Sequence, residues 1–98
     1  MTALSVEMRA IPCRPDHVQA RRVGRDTLVV HLLLKQYHVL NHIAGRIWEL
    51  ADGSRPVDDI AAAIAAEFHI DDDTAREDVT TTIDSLAALR IIELRAVP

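Results

Sequence analysis

The chain has few aromatic residues, few glycines and a single cysteine, and each shortage excludes a class of function. Three aromatic residues among 98 are too few for a platform on which successive nucleic-acid bases could stack. The three glycines are far apart, so no glycine-rich loop can cradle a phosphate. Cys13 stands alone and cannot form an internal disulfide, which favours a cytoplasmic location.

Charge is unevenly distributed along the chain. The formal net charge is -4 at pH 7, the wrong sign for a domain that must neutralise nucleic-acid phosphates. The first third contains the basic residues Arg9, Arg14, Arg21, Arg22, Arg25 and Lys35. The later part contains the acidic residues Asp58, Asp59, Glu67, Asp71, Asp72, Asp73, Glu77 and Asp78. We therefore expect a basic sheet end, an acidic helical end and no nucleic-acid partner.

Length and hydropathy predict one soluble globular domain. A chain of 98 residues has room for a single core, and 49% of the residues are hydrophobic. No stretch approaches the ~20 apolar residues of a membrane span. Residues 1–10 contain Glu7 and Arg9 and lack the apolar centre of a signal peptide. We expect neither a targeting signal nor a membrane partner.

The first half of the chain predicts β-structure. Residues 1–16 lack a clear period and contain Pro12 and Pro15, so we expect an N-terminal arm, followed by a domain over residues 17–98. Dense β-branched and aliphatic residues predict a three-stranded antiparallel meander. Its expected strands are 17–23, 27–34 and 37–40, with a turn at Gly24–Asp26 and a two-residue link at Lys35–Gln36. The third strand would lie at an edge of the sheet.

The second half predicts three helices. Asn41 is a good N-cap for the first helix, which Asp52–Gly53 would end. Pro56 suits the first turn of the second helix, and Thr74 and Glu77 have capping-box spacing for the third. The expected buried stripe of the second helix is Val57, Ile60, Ala61, Ile64, Ala65 and Phe68, and that of the third is Ala75, Val79, Ile83, Leu86 and, at its end, Leu89.

These elements predict an α+β fold, winged-helix-like, in which a three-stranded antiparallel sheet is followed by three helices. Residues 91–94 would either form a short further strand or cover the core. Both alternatives are compatible with a single small domain.

Residues that could perform chemistry are scattered. His38 and His42 are four residues apart, but the predicted helix begins between them, so they would not share a face as a metal pair must. Three consecutive carboxylates at Asp71–Asp73 point in different directions and suit a helix cap better than a cation site. Cys13 shows no sign of activation. We therefore predict no catalytic residue, no metal and no cofactor, and a protein that is not an enzyme.

The one potential binding site that the sequence predicts is an open sheet edge beside a helix. Proteins usually protect such edges with charge, proline or a bulge, and Tyr37–Leu40 has none of these. An extended peptide could add there as a fourth strand. Alternatively, the N-terminal arm or the C-terminal segment covers this edge.

Residues 17–94 resemble PqqD-like proteins, the recognition elements that bind the leaders of ribosomally synthesised and post-translationally modified peptides (RiPPs). The matching motifs are Leu32–Leu34, a short turn, Leu40–Asn41, then Ile47, Leu50, Asp52–Gly53, Val57 and Ile60. Tyr37 and the run Gly45–Trp48 are most similar to the standalone leader-binding proteins of lasso-peptide clusters. The two-residue link and His38, where an aromatic residue is usual, depart from that pattern.

The resemblance implies that the leader binds as an antiparallel strand along Tyr37–Leu40, with the third helix as the opposite wall. The chain would present this leader to a maturation enzyme on a separate chain, which is a leader peptidase in lasso-type systems and a radical iron-sulfur enzyme in PqqD-type systems. The candidate leader-binding residues are Leu34, Tyr37, His38, Val39, Leu40, Arg76, Val79, Thr80 and Ile83. Each of the four helical candidates also fits a purely structural role.

Two other functions fit the same elements. The second and third helices could form a DNA-binding helix-turn-helix, although Glu77, Asp78 and Asp84 would then face phosphate. The exposed edge could instead pair with a second copy of the chain and form a homodimer.

Overall fold

The computed structural model describes residues 8–95, which contain five strands and three helices. In chain order these are β1 (Ile11–Cys13), β2 (Val18–Val23), β3 (Asp26–His31), β4 (Gln36–Leu40), α1 (His42–Leu50), α2 (Val57–Phe68), α3 (Asp72–Ala88) and β5 (Glu93–Arg95). Strands β2, β3 and β4 form an antiparallel sheet in that order. The predicted α+β fold, with three strands followed by three helices, is confirmed. A second, two-stranded sheet pairs β1 with β5, so the strand alternative is correct for residues 93 and 94, whereas Ile91 and Ile92 cover the core.

The two turns of the meander differ from each other. Gly24 has a φ of +64° at the first of the two residues linking β2 to β3, as a type II′ hairpin turn requires. The second turn is longer than the predicted link at Lys35–Gln36, because β3 ends at His31 and the leucine turn Leu32–Lys35 follows. Nδ1 of His31 accepts a hydrogen bond from the Leu34 N–H at 3.1 Å, and Lys35 has a φ of 55°. Both features turn the chain away from an extended strand.

The first and third helices begin at side-chain caps. Oδ1 of Asn41 accepts from the Ala44 N–H at 2.9 Å, as predicted. The third helix begins earlier than predicted, because Oδ1 of Asp71 accepts from the Thr74 N–H at 2.9 Å. The predicted capping box at Thr74 is therefore wrong, whereas the capping role of the Asp71–Asp73 run is confirmed at Asp71.

Helix α2 begins without a side-chain cap and is completed by the N-terminal arm. Its N-cap residue, Pro56, makes no side-chain cap bond. The N–H groups of Val57 and Asp58 instead donate to the carbonyls of Ala10 and Met8, at 3.0 and 2.9 Å. Helices leave their first N–H groups without partners inside the helix, so these two carbonyls replace the missing cap. Residues 8–13 of the predicted arm are thus bound to the domain, and residues 1–7 lie outside the described residues.

The core lies between the three helices and one face of the sheet. Its largest fully buried side chains include Ile47, Ile60, Ile64, Ile83 and Ile91. The predicted stripe of α2 is buried except for Phe68, which is half-buried. In α3, Ala75, Val79, Ile83 and Leu86 are buried as predicted, whereas Leu89 is exposed. Trp48 donates from Nε1 to the Ile91 carbonyl at 2.9 Å and so ties α1 to the segment after α3.

Gly45 allows α1 to lie close against the sheet. A Cβ at this position would come within 2.5 Å of Thr27 Oγ1, and Thr27 is itself buried. The position therefore has no room for a side chain. Within residues 8–95, no helix has the length and apolar character needed to cross a membrane.

Candidate peptide-binding edge

Strand β4 forms one edge of the three-stranded sheet. It pairs with β3 on one side, and no strand within residues 8–95 pairs with its other side. The N-terminal arm and the C-terminal strand, which could have covered this edge, pair with each other through β1 and β5. In the described part of the chain, β4 is therefore open to an added strand.

The register identifies the backbone groups that face outward from β4. The Leu32 N–H donates to the His17 carbonyl at 2.9 Å, and hydrogen-bonded pairs alternate along an antiparallel ladder. Residues 28 and 30 of β3 therefore bond to β2, and residues 27, 29 and 31 bond to β4. Gln36, His38 and Leu40 use their backbone groups for β3. Tyr37 and Val39 direct their N–H and C=O groups to the open side.

Side chains of β4 alternate between the two faces of the sheet. Tyr37 and Val39 lie on the outer face, away from the helices, and are 73% and 67% exposed. His38 and Leu40 lie on the helix-facing side, where His38 is half-buried and Leu40 belongs to the core. The sequence left open which face would contact a ligand. The register shows that a strand added here would bring its own side chains to both faces.

The opposite edge of the sheet, β2, is protected by charge. Arg21 and Arg22 are exposed on this strand, and Arg22 forms an ion pair with Glu49 at 3.3 Å. Charged side chains on an edge strand oppose its pairing with another chain. Of the two edges, β4 is the one suited to accept a peptide.

His38 contains a buried nitrogen without a partner. Nε2 of its imidazole is inaccessible to solvent and makes no hydrogen bond with residues 8–95. Burying a polar atom in this way costs about 1–3 kcal/mol. The unsatisfied nitrogen therefore belongs to the strand that would receive a ligand, in the residue between Tyr37 and Val39.

The helical candidates do not come together at the β4 edge. Val79 and Ile83 are fully buried in the core. Arg76 forms ion pairs with Asp73 at 3.3 Å and with Asp58 of α2 at 3.8 Å. The hydroxyl of Thr80 lies 2.7 Å from the Arg76 carbonyl and 3.4 Å from Sδ of Met8. Arg76 and Thr80 therefore lie on the flank of α3 that contacts α2 and the N-terminal arm.

The opposite flank of α3 contains residues that were not predicted as ligand contacts. With 3.6 residues per turn, Asp78, Thr82, Ser85 and Leu89 lie on the side away from Arg76 and Thr80. Thr82 is half-buried, and Leu89 is 37% exposed. Helical spacing could have identified these residues as one flank of α3. Only the path of the arm shows that the other flank, with Arg76 and Thr80, is the occupied one.

Leu34, the remaining sheet candidate, lies in the leucine turn and not on a strand. It is 44% exposed, next to Leu33 at 69%. Together with the C-terminal end of α3 it lines a pocket at the end of the sheet. Leu34 is thus separated from the open groups of Tyr37 and Val39 by the start of β4.

Comparison with known proteins gives two matches. Residues 25–92 match the PqqD family, described as coenzyme PQQ synthesis protein D. The solved structure of TbiB1 in complex with the TbiA(beta) leader peptide is similar, with a TM-score of 0.75 and 26% sequence identity over 83% of this chain and 94% of the matched chain. No curated protein sequence matches the chain.

Proposed function

The chain belongs to the PqqD family of RiPP recognition elements, and on that premise we propose that it binds the leader of a ribosomally made precursor peptide. The observation that carries this proposal is the open edge of β4, where Tyr37 and Val39 present unpaired backbone groups. Similarity to TbiB1, whose structure contains a leader peptide, supports it. The leader would add to the sheet as a fourth strand next to β4.

Backbone hydrogen bonds would supply most of the affinity. In an antiparallel arrangement, Tyr37 and Val39 can each exchange both of their backbone hydrogen bonds with the leader residue opposite. The leader residue opposite His38 would form a non-hydrogen-bonded pair, in which side chains approach most closely. His38 and its helix-facing surroundings would therefore contribute to side-chain selection.

Helix α3 would form the opposite wall through its free flank. The flank with Arg76 and Thr80 is already occupied by α2 and the arm. We therefore propose Thr82 and Leu89 as contacts in place of Arg76, Val79, Thr80 and Ile83. Among the sheet residues, Tyr37, His38 and Val39 remain candidate contacts, and Leu40 would support them from the core.

The proposed role is delivery without catalysis. Binding the leader raises the effective concentration of the attached core peptide at an enzyme that also contacts this chain. A lasso-type leader peptidase on a separate chain is the partner that the family resemblance favours, and a radical iron-sulfur enzyme is the alternative. Within residues 8–95, no cluster of three metal-ligating side chains occurs.

The DNA-binding alternative is opposed by charge. Asp72, Asp73, Glu77, Asp78 and Asp84 of α3 are all exposed, so a recognition helix built from α3 would present carboxylates to phosphate. The second alternative is a homodimer formed by self-pairing through β4. A leader peptide that binds the same edge would dissociate this dimer, so size-exclusion chromatography with and without the leader tests the alternative.

The strand-addition proposal is tested by removing one backbone donor. We expect a labelled synthetic leader, from the precursor encoded beside this chain's gene, to bind with micromolar or tighter affinity in fluorescence anisotropy. Val39→Pro deletes an outward N–H without removing a bond to β3, and it should weaken binding more than about tenfold. Val39→Thr keeps the N–H and the branched shape and should bind nearly as the unmodified chain does.

The hydrogen bonds that the leader itself would donate to β4 can be tested by modifying the leader backbone. N-methylation of leader residues, one at a time, should weaken binding at alternate positions only, because alternate N–H groups point to β4. Unchanged binding by a folded Val39→Pro chain, or equal effects of N-methylation at every position, would contradict strand addition.

A further inference from the structure

A pocket lies at the end of the sheet, between the leucine turn and the C-terminal end of α3. Its volume is about 420 Å³, within the range of sites that bind small ligands or single side chains. The apolar walls are formed by Leu33, Leu34, Ala87 and Ile92, and the polar lining comes from His17, His31, Arg90 and Glu93. The proposed edge contacts at Tyr37 and Val39 do not use this pocket.

His31 places a hydrogen-bond donor in the pocket. Its Nδ1 accepts from the Leu34 N–H at 3.1 Å, so in the neutral ring the proton resides on Nε2. The residue is only 3% exposed, and within residues 8–95 the hydrogen bond that its ring makes is the one at Nδ1. A ligand that enters the pocket with an acceptor atom can therefore use the Nε2–H group.

Arg90 adds a positive charge to the same pocket. Its φ is 64°, a conformation that favours glycine directly after a helix. None of the ion pairs within residues 8–95 involves Arg90. The positive φ belongs to the turn that ends α3, in which the N–H groups of Arg90 and Ile91 donate to the carbonyls of Ala87 and Leu86. The guanidinium of Arg90 and the N–H donor of His31 together favour an anion in the pocket.

We propose that this pocket binds an acidic side chain of the leader, and this rests on the function proposed above. The carboxylate would accept from His31 Nε2–H and pair with Arg90, while its methylene groups contact Leu33 and Leu34. Glu93 enters the pocket from β5, so we expect the carboxylate to lie on the Arg90 side.

Continuity with β4 identifies the leader as the occupant. A strand antiparallel to β4 passes Leu40 first and Gln36 last, so its C-terminal end leaves the sheet at the leucine turn. The pocket begins at that turn. The acidic residue should therefore follow, within a few positions, the leader segment that pairs with Tyr37.

The test combines Arg90→Gly with neutralised leader peptides. Glycine suits the positive φ, so this variant should fold at least as well as the unmodified chain, and circular-dichroism melting checks this. Arg90→Gly should weaken binding of the labelled leader about tenfold. Exchanging one acidic leader residue for its amide should have a similar effect, and the two changes together should cost no more than either alone. Arg25→Gly, at the opposite end of the sheet, is the matched control and should not affect binding.

A spectroscopic readout separates contact from indirect effects. The Nε2–H resonance of His31, observed by ¹⁵N NMR of the imidazole, should shift more on binding of the acidic leader than of its amide form, because a carboxylate is the stronger acceptor. Equal losses by Arg90→Gly for acidic and neutralised leaders would overturn the pocket assignment. If Val39→Pro abolishes binding while Arg90→Gly does not change it, the pocket proposal fails and strand addition stands. If no leader binds the unmodified chain, the proposed function itself fails.

Discussion

At the scale of single residues, His38 shows how the site differs from the rest of the fold. Its side chain faces the helices from the middle of β4, and its Nε2 is buried without a partner. The neighbouring Val29 on β3 is fully buried and apolar. A hydrocarbon ring would suit this environment better than an imidazole, so stability alone does not account for the histidine.

We therefore expect His38→Phe to stabilise the free protein. The substitution replaces an unpaired buried nitrogen by carbon in a somewhat larger ring, which the half-buried position can hold, and the free energy of unfolding should rise by about 1 kcal/mol. Urea denaturation measures this change. Tyr37→Phe, on the exposed face of the same strand, serves as the control and should be nearly neutral. A loss of stability in His38→Phe would mean that Nε2 has a partner in solution.

At the scale of elements, the helices depend on caps of different kinds. Helix α1 uses Asn41 and α3 uses Asp71, both local in sequence. Helix α2 uses backbone carbonyls of the arm, from residues far away in the chain. The stability of α3 should therefore respond to changes at its own N-terminus, whereas α2 should respond to changes in the arm.

The cap of α3 should make stability depend on pH. Hydrogen bonds from the Thr74 hydroxyl and from the Thr74 N–H hold the pKa of Asp71 below its usual value. A carboxylate with a lowered pKa in the folded state stabilises the fold above its unfolded pKa of about 4, and this contribution is lost as pH falls through the folded value. Asp71→Ala should thus lower the melting temperature at pH 7, with a smaller difference near pH 2. A difference that is constant with pH would argue against capping by the ionised carboxylate.

At the scale of the whole molecule, the arm and the C-terminal strand hold the domain together. Cys13 of β1 is buried, and β1 pairs with β5 across the length of the chain. The Gly53 N–H donates to the Pro12 carbonyl at 2.9 Å, which adds a third contact to those at the start of α2. The described part of the arm therefore contacts the segment after α1, the start of α2 and Thr80 of α3.

A chain that begins at His17 should be less stable than the full chain. It lacks the acceptors for the Val57 and Asp58 N–H groups and the partner of β5, and it exposes apolar surface that Cys13 covers. We expect the free energy of unfolding to fall by about 2–5 kcal/mol, measured by urea denaturation. Equal stability of the two chains would support residue 16 as a true domain boundary.

Sequence patterns predicted the structural features that depend on residues close together in the chain. The stripe of α2 follows from helical period, Asn41 follows from capping chemistry, and the β4 edge follows from strands next to each other in the chain. Leu32–Leu34 have the composition of a strand, but the hydrogen bond to His31 makes them a turn. The flank of α3 that the arm occupies was not predictable, because the arm returns from far away in the chain: Met8 contacts Thr80, a separation of 72 residues.

The pairing of β1 with β5 brings the two ends of the described segment to one corner of the molecule, with Ile11 opposite Arg95. Close ends of this kind allow a domain to be inserted into, or joined to, another polypeptide with little strain. A fluorescent protein or an enzyme domain joined at residue 11 and one joined at residue 95 would therefore extend from the same corner of the molecule. Two fluorescent proteins joined in this way would lie close enough for energy transfer, which would give an optical readout of the proposed leader binding.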